Sequence, residues 1–181
     1  MSQDRVAALR SAFDAAFAEA RGEMRDEGVA FLLFRLGSQP FAVKLAEVAA
    51  LEPLGKVVPL PAAAAELLGL AAIKAQLVPV YALARLVGAP EGERSRWLLV
   101  CDRGDPIGLA FTAFDGYAKL PESALARAEG GARFVPAFAT IGATRRGVID
   151  TGSVVAAIRS QAKARSPSLT PGDPLRRSDD Q

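Results

Sequence analysis

The chain of 181 residues contains no histidine. That absence removes Ser-His and Cys-His activation of a nucleophile, the commonest zinc ligand, and the usual proton exchanger near neutral pH. Carboxylates or lysine could still do chemistry, but an enzyme is not expected. One cysteine, Cys101, excludes an internal disulfide and suits a reducing cytoplasm. It falls in the strand-like run Trp97 to Cys101 and reads as a buried, inert thiol. No apolar run is long enough to span a bilayer, and the charged start lacks the apolar stretch of a signal peptide. The expectation is a cytoplasmic protein with no direct membrane insertion.

Phosphate-binding fingerprints are missing too, both Gly-x-x-x-x-Gly-Lys and Gly-x-Gly-x-x-Gly. No cofactor and no metal is expected. Asp102, Asp105, Asp115 and Asp150 lie at turns or strand ends, where turn chemistry explains each. Of 22 basic and 20 acidic residues, 14 and 11 fall between positions 29 and 159. So small an excess is far from the dense basic face of a nucleic-acid binder. A small β-barrel binding oligonucleotides through Trp97, Tyr117 and Tyr81 is the alternative, with no nucleic acid as the preferred reading.

What the chain does have is strand pattern. Residues 1–28 read as a long amphipathic helix, with Val6, Leu9, Phe13, Phe17 and Met24 on one side and Gly28 as its stop. Val29 to Leu36 is a strong strand, Gly37-Ser38 a tight turn, and Phe41 to Leu45 the returning strand. Trp97 to Cys101 and Ile107 to Phe114 form a hairpin around residues 102–105, and Arg133 to Ile141 is again strand-like. Arg145 and Arg146 read as a solvated turn before Val148. Thr151 or Ser153 caps a short final helix, Val154 to Arg159. Residues 160–181, rich in Pro and Ser, read as a disordered tail. No internal repeat stands out.

The most informative stretch is Leu67 to Gly88, LLGLAAIKAQLVPVYALARLVG. Two apolar runs meet at Lys74-Ala75-Gln76, Pro79 interrupts the second, and a short helical pattern ends at Gly88. A proline inside a strand belongs at an edge or a bulge, which suits a small, sharply bent barrel. Gly69, Ala72 to Ala75, Leu77 to Val80 and Ala82-Leu83 follow the signature of CheW-type coupling domains, and the spacing matches from Val48 to Pro79. The chain resembles a divergent member of that family. Lys74 stands for the family arginine, Ala75 for its glycine, and Ala50, Ala82 and Thr112 for its acids.

The resemblance implies two five-stranded SH3-like β-barrels over residues 29–159, mainly β, sharing one core. It also implies a non-catalytic adaptor between a methyl-accepting chemoreceptor's helical tip and the regulatory domain of a CheA-type histidine kinase. On that pattern Val48, Leu51, Gly69, Lys74 and Ala75 would line the receptor groove. Leu77, Val80 and Tyr81 would face the kinase. The lost polar letters fit a paralogue serving a different array.

Overall fold

The computed structural model describes residues 28–61, 64–90, 92–102, 104–130 and 133–165. The amphipathic helix expected over residues 1–28 lies outside them, apart from Gly28, as does the tail from residue 166. The strands are β1 Val29–Leu36, β2 Gln39–Lys44, β3 Ala50–Pro53, β4 Val57–Val58, β5 Leu67–Ile73, β6 Gln76–Ala82, β7 Trp97–Cys101, β8 Ile107–Phe111, β9 Ala113–Leu120, β10 Leu125–Arg127, β11 Ala137–Ile141 and β12 Thr144–Ile149. Helix α1 spans Leu83–Val87 and α2 spans Thr151–Arg165. The final helix therefore starts earlier than its expected bounds and runs past residue 160.

Two six-stranded sheets result, ordered β10-β11-β12-β2-β1-β9 in sheet I and β3-β7-β8-β6-β5-β4 in sheet II. Neither order closes on itself, so the expected pair of five-stranded barrels is corrected to two open, curled sheets. The terminal strands explain the opening. β4 has two residues and β10 three, too few to carry a ladder onward. Short ends also blunt the exposed edge.

The two sheets repeat one topology that the sequence does not advertise. Each pairs antiparallel throughout except for one central parallel pair, β12 with β2 in sheet I and β6 with β8 in sheet II. Val80 opposes Gly108 and Tyr81 opposes Leu109. In the corresponding places Val148 opposes Ala42 and Ile149 opposes Val43. Sheet II is built from β3 to β8 in order, whereas sheet I runs from β9 to β12 and is completed by β1 and β2 from the start of the chain. A helix follows the parallel strand in each, α1 after β6 and α2 after β12.

Alternation along β1 shows how the core is divided. Leu32, Phe34 and Leu36 enter a core shared with Val48, Leu51, Leu83, Leu99, Leu109, Phe111 and Ile158. Phe31 and Leu33 point the other way, into a small core that sheet I encloses with Ala42, Ala139 and Val148. Sheet II encloses its own with Ala71, Val80, Leu98, Val100 and Ala110. Burial on both faces is why these strands read as continuous apolar runs. The run expected from Ile107 to Phe114 breaks at Thr112, where the chain leaves β8 in sheet II and enters β9 in sheet I. The Thr112 N–H donates to the Arg35 carbonyl at this crossing, 3.1 Å away.

Pro79 lies on β6, an interior strand of sheet II, beside a bulge in the β5–β6 register. Its ladder with β8 begins only at Val80, while Leu70 on β5 opposes Pro79 itself. At Pro79 the strand thus has a partner on one side only, and the missing N–H is tolerated. Gly69 sits at the bulge in the β5–β6 register with φ +142°. A β-carbon there would lie 2.1 Å from the Val58 carbonyl oxygen, so glycine is what lets β4 approach β5. Gly69→Ala is expected to lower the unfolding free energy by at least about 2 kcal/mol in a urea titration. A variant as stable as the parent would refute this packing.

Candidate functional site

The β5–β6 hairpin turns at Lys74-Ala75, and both residues have positive φ, 46° and 65°. This geometry matches the twist of the flanking strands but favours Asn-Gly. For residues with a β-carbon the left-handed conformation costs about 1–2 kcal/mol each. The corresponding turn of sheet I places Gly142 first. Strain at an exposed loop tip marks a place where the neighbouring structure fixes the backbone.

Part of that fixing is an ion pair. Lys74 Nζ lies 3.6 Å from the Glu52 carboxylate, with the lysine 75 % exposed and the carboxylate side chain 8 % exposed. Glu52 belongs to β3, at the opposite end of the strand order from β4 and β5, so the pair reaches across the open side of the curled sheet. Sequence reasoning placed the missing family acid at Ala50 and passed over Glu52. Residues two apart in a strand share a face, and the alternation Ala50-Leu51-Glu52 was the signal that could have found it. Sheet I repeats the device. Arg146 Nη1 on β12 lies 3.0 Å from Asp115 on β9, which also accepts from Arg35 Nε at 2.9 Å. Arg146 is 11 % exposed and also donates to the Phe34 and Phe41 carbonyls. It is no solvated turn residue. Arg145 is the one at the surface, stacked 4.1 Å over the Phe138 ring.

Beside the hairpin lies an apolar flank. Leu77 is 71 % exposed, Val58 54 % and Leu60 40 %, and these are the exposed large hydrophobic residues among those described. The register carries the flank across three strands, with Val58 opposite Leu70, Leu70 opposite Pro79, and Ala72 opposite Leu77. The other expected contact residues lie elsewhere. Val48 and Leu51 are buried in the shared core and Val80 in the core of sheet II. Tyr81 is half-buried against the shared core, and burial raises its phenol above the usual value. Gly69 is fixed by the approach of β4. Lys74, Ala75 and Leu77 remain as the surface members of the expected set.

The sequence model of the CheW-like domain matches residues 30–158. The chain belongs to the CheW-like domain family. The scaffolding protein TtCheW from Thermoanaerobacter tengcongensis has a similar solved structure, with a TM-score of 0.62 and 15% sequence identity. The match covers 68% of this chain and 89% of that one. No curated protein sequence matches.

Two further acids meet at the start of α2. Asp150 caps α2, accepting from the Ser153 N–H and hydroxyl at 3.0 and 2.8 Å. Thr151, one of two expected caps, instead donates from N–H and hydroxyl to Glu47 at 3.0 and 2.6 Å. No group of three or more acids or cysteines among the described residues is arranged to hold a metal ion. Cys101 is buried, and burial followed by the charge of Glu47 pushes its thiol up to about 12. Such a thiol forms almost no thiolate at neutral pH. Trp97 meets Phe114 at a tilt with centroids 6.0 Å apart, and Phe114 meets Tyr117 edge to face at 5.1 Å. Their rings pack against the shared core, which weighs against their use as a platform for bases.

Two expectations follow. Ala75→Gly relieves one left-handed residue and should stabilise the protein by about 1 kcal/mol. Lys74→Glu sets a second carboxylate beside Glu52 and should destabilise it by about 1–2 kcal/mol. Thermal melts of the two variants should move in opposite directions, and shifts of the same sign would refute the account of this turn. The second expectation concerns pH. Arg159 donates to Asp102 at 2.8 Å, and this bond, followed by the Gly104 N–H, lowers the Asp102 carboxyl from 3.8 to about 2. A depressed carboxyl in the folded state stabilises above the unfolded value, and that contribution is lost as pH falls from about 3.8 through about 2. Carboxyl carbon NMR should show the low midpoint in the parent and a rise toward 3.8 in Arg159→Ala. An unmoved midpoint would exclude the ion pair as its cause.

Proposed function

We propose that this chain is a non-catalytic adaptor of a chemotaxis-type signalling array, working in the cytoplasm. It would join the helical tip of a chemoreceptor to the regulatory domain of a CheA-type histidine kinase. Membership of the CheW-like family supports the class of function, and the similarity to a scaffolding protein agrees with it. Among the described residues no helix is long and apolar enough to cross a membrane. An adaptor of this kind acts by holding two partners on one rigid frame, raising their effective concentration and coupling their states.

The single observation that carries the reading is the apolar flank of sheet II. Among the described residues Leu77, Val58 and Leu60 are exposed while the other large apolar side chains are wholly or partly covered. We assign this flank to the kinase regulatory domain, because exposed apolar area on a rigid strand surface suits a contact between two β-domains. Lys74 and Ala75, at the tip of the same hairpin, are assigned to the receptor helix. The charge of Lys74 and the left-handed turn it forms with Ala75 set this tip apart from the apolar flank. Val48 and Leu51 would contribute indirectly by holding β3 in place, and Val80 by holding β6.

Leu77→Glu tests the assignment. A single buried apolar anchor at an interface is worth about 2 kcal/mol or more. The variant should therefore lose at least roughly tenfold in affinity for the cognate kinase regulatory domain in calorimetric titration, with an unchanged melting temperature. Parent protein that binds neither the kinase domain nor the receptor tip would end the adaptor reading. Kinase binding that survives Leu77→Glu would move the kinase contact off this flank.

A further inference from the structure

Sheet I curls round a small core of its own, and the two ends of that curl are finished differently. The buried members of this core are Phe31, Leu33, Ala42, Ala139 and Val148. Near the β1–β2 turn the curl is closed by charge, with Arg35 and Arg146 both paired to Asp115. At the opposite end β1 and β11 begin and β9 and β10 finish, with Val29 opposite Leu120 and Arg127 opposite Ala137. There Val29, Ala118, Leu120, Leu125 and Ala137 pack against the core and stay partly exposed. An apolar ring of this kind still has surface to bury.

The chain enters the fold at that ring. A β-carbon on Gly28 would lie 3.1 Å from Lys119 Cγ and 3.4 Å from the Leu120 carbonyl oxygen, so residues 1–27 join β1 beside the end of β9. They precede the CheW-like match, which begins at residue 30. In their sequence Phe13, Phe17, Ala20 and Met24 follow at four-, three- and four-residue spacing, the repeat of one helix side. Asp26 and Glu27 stand next to Gly28, while Lys119 and Arg127 are exposed on the strands that finish at this end. Apolar residues thus adjoin an apolar ring, and acids adjoin bases.

We propose that residues 1–27 are the occupant of this ring, folded back over the open end of sheet I as an amphipathic helix. Phe13, Phe17 and Met24 cover Val29, Leu120 and Leu125, and the acids at 26 and 27 face Lys119. The tether decides the occupant. A segment joined directly to the rim is present there at an effective concentration of about millimolar, which a second copy or a separate protein does not reach in dilute solution. The segment completes the smaller core instead of reaching outward for a partner. This assignment depends on neither the kinase nor the receptor contact.

The test uses the full chain, ¹⁵N-labelled, with a nitroxide on Glu19→Cys. Cys101 is buried and does not compete for the label. The nitroxide should strongly broaden the amides of Leu120, Leu125 and Arg127 and leave those of Val58 and Leu77 sharp. No broadening should pass between molecules in an equal mixture of isotope-labelled chain without nitroxide and nitroxide-bearing chain without isotope. Phe17→Asp should abolish the broadening and lower the melting temperature by about 4 °C or more, whereas Phe17→Leu should keep both near the parent. Broadening centred on Leu77, broadening between molecules, no selective broadening, or a Phe17→Asp melt equal to the parent's would each overturn the cap. None of these measurements reads kinase binding, so the two assignments fail separately.

Discussion

Every strand at the centre of this molecule is covered on both faces, and that constraint shapes the rest. A sheet whose two faces are both apolar must be covered twice. Here one face is covered by the other sheet and the opposite face by the sheet's own curl. The curl in turn leaves an open side, and each sheet meets it with an ion pair reaching back from β6 or its turn, or from β12, to the edge strand β3 or β9. The chain fastens the two halves by passing between them, through the 3-10 turn Leu45–Glu47 after β2 and again at Thr112. Polar contacts then lock α2 across the join. Glu47 holds its first residue, and Arg159 holds the β7–β8 turn through Asp102 and Asp105.

Much of this was legible in the sequence, because burial on both faces writes itself as uninterrupted Val, Ile, Leu and Phe. The runs Val29 to Leu36 and Trp97 to Cys101 became strands at the expected bounds. What failed was information that no single segment holds. The strand from Ala113 to Leu120 has mixed polarity and half-buried residues, so its pattern is weak, and only its pairing with β1 makes it a strand. Closure of a barrel depends on whether the last strands are long enough to meet, and β4 and β10 are not.

The candidate site was legible in part for a related reason. A motif names positions in a line, whereas exposure depends on which side of a strand each position takes. Lys74 and Ala75 sit in a turn, and turns face solvent. Val48, Leu51 and Val80 sit in or beside strands and point into cores. Leu77 and Val80 differ by three places, so alternation sends them to opposite faces, and only Leu77 reaches the surface. Charge followed the same rule. Arg145 and Arg146 are adjacent in sequence, yet one stacks at the surface and the other is largely covered and paired with Asp115.

The repeated topology sharpens the functional reading, because it supplies an internal comparison. Leu70, Leu77 and Pro79 in sheet II occupy the places of Phe138, Arg145 and Gly147 in sheet I. In sheet I a β-carbon on Gly147 would press on Phe41 and Val135, and Phe138 packs against the shared core beneath Arg145. That face is closed by the molecule's own side chains and topped by a charge. In sheet II the same face carries Leu77, which no described residue covers. Folding therefore does not require an apolar residue at this place, since the sister sheet folds with an arginine there. A leucine left exposed where the architecture accepts a charge is better explained by what it contacts outside the chain than by what it does within it.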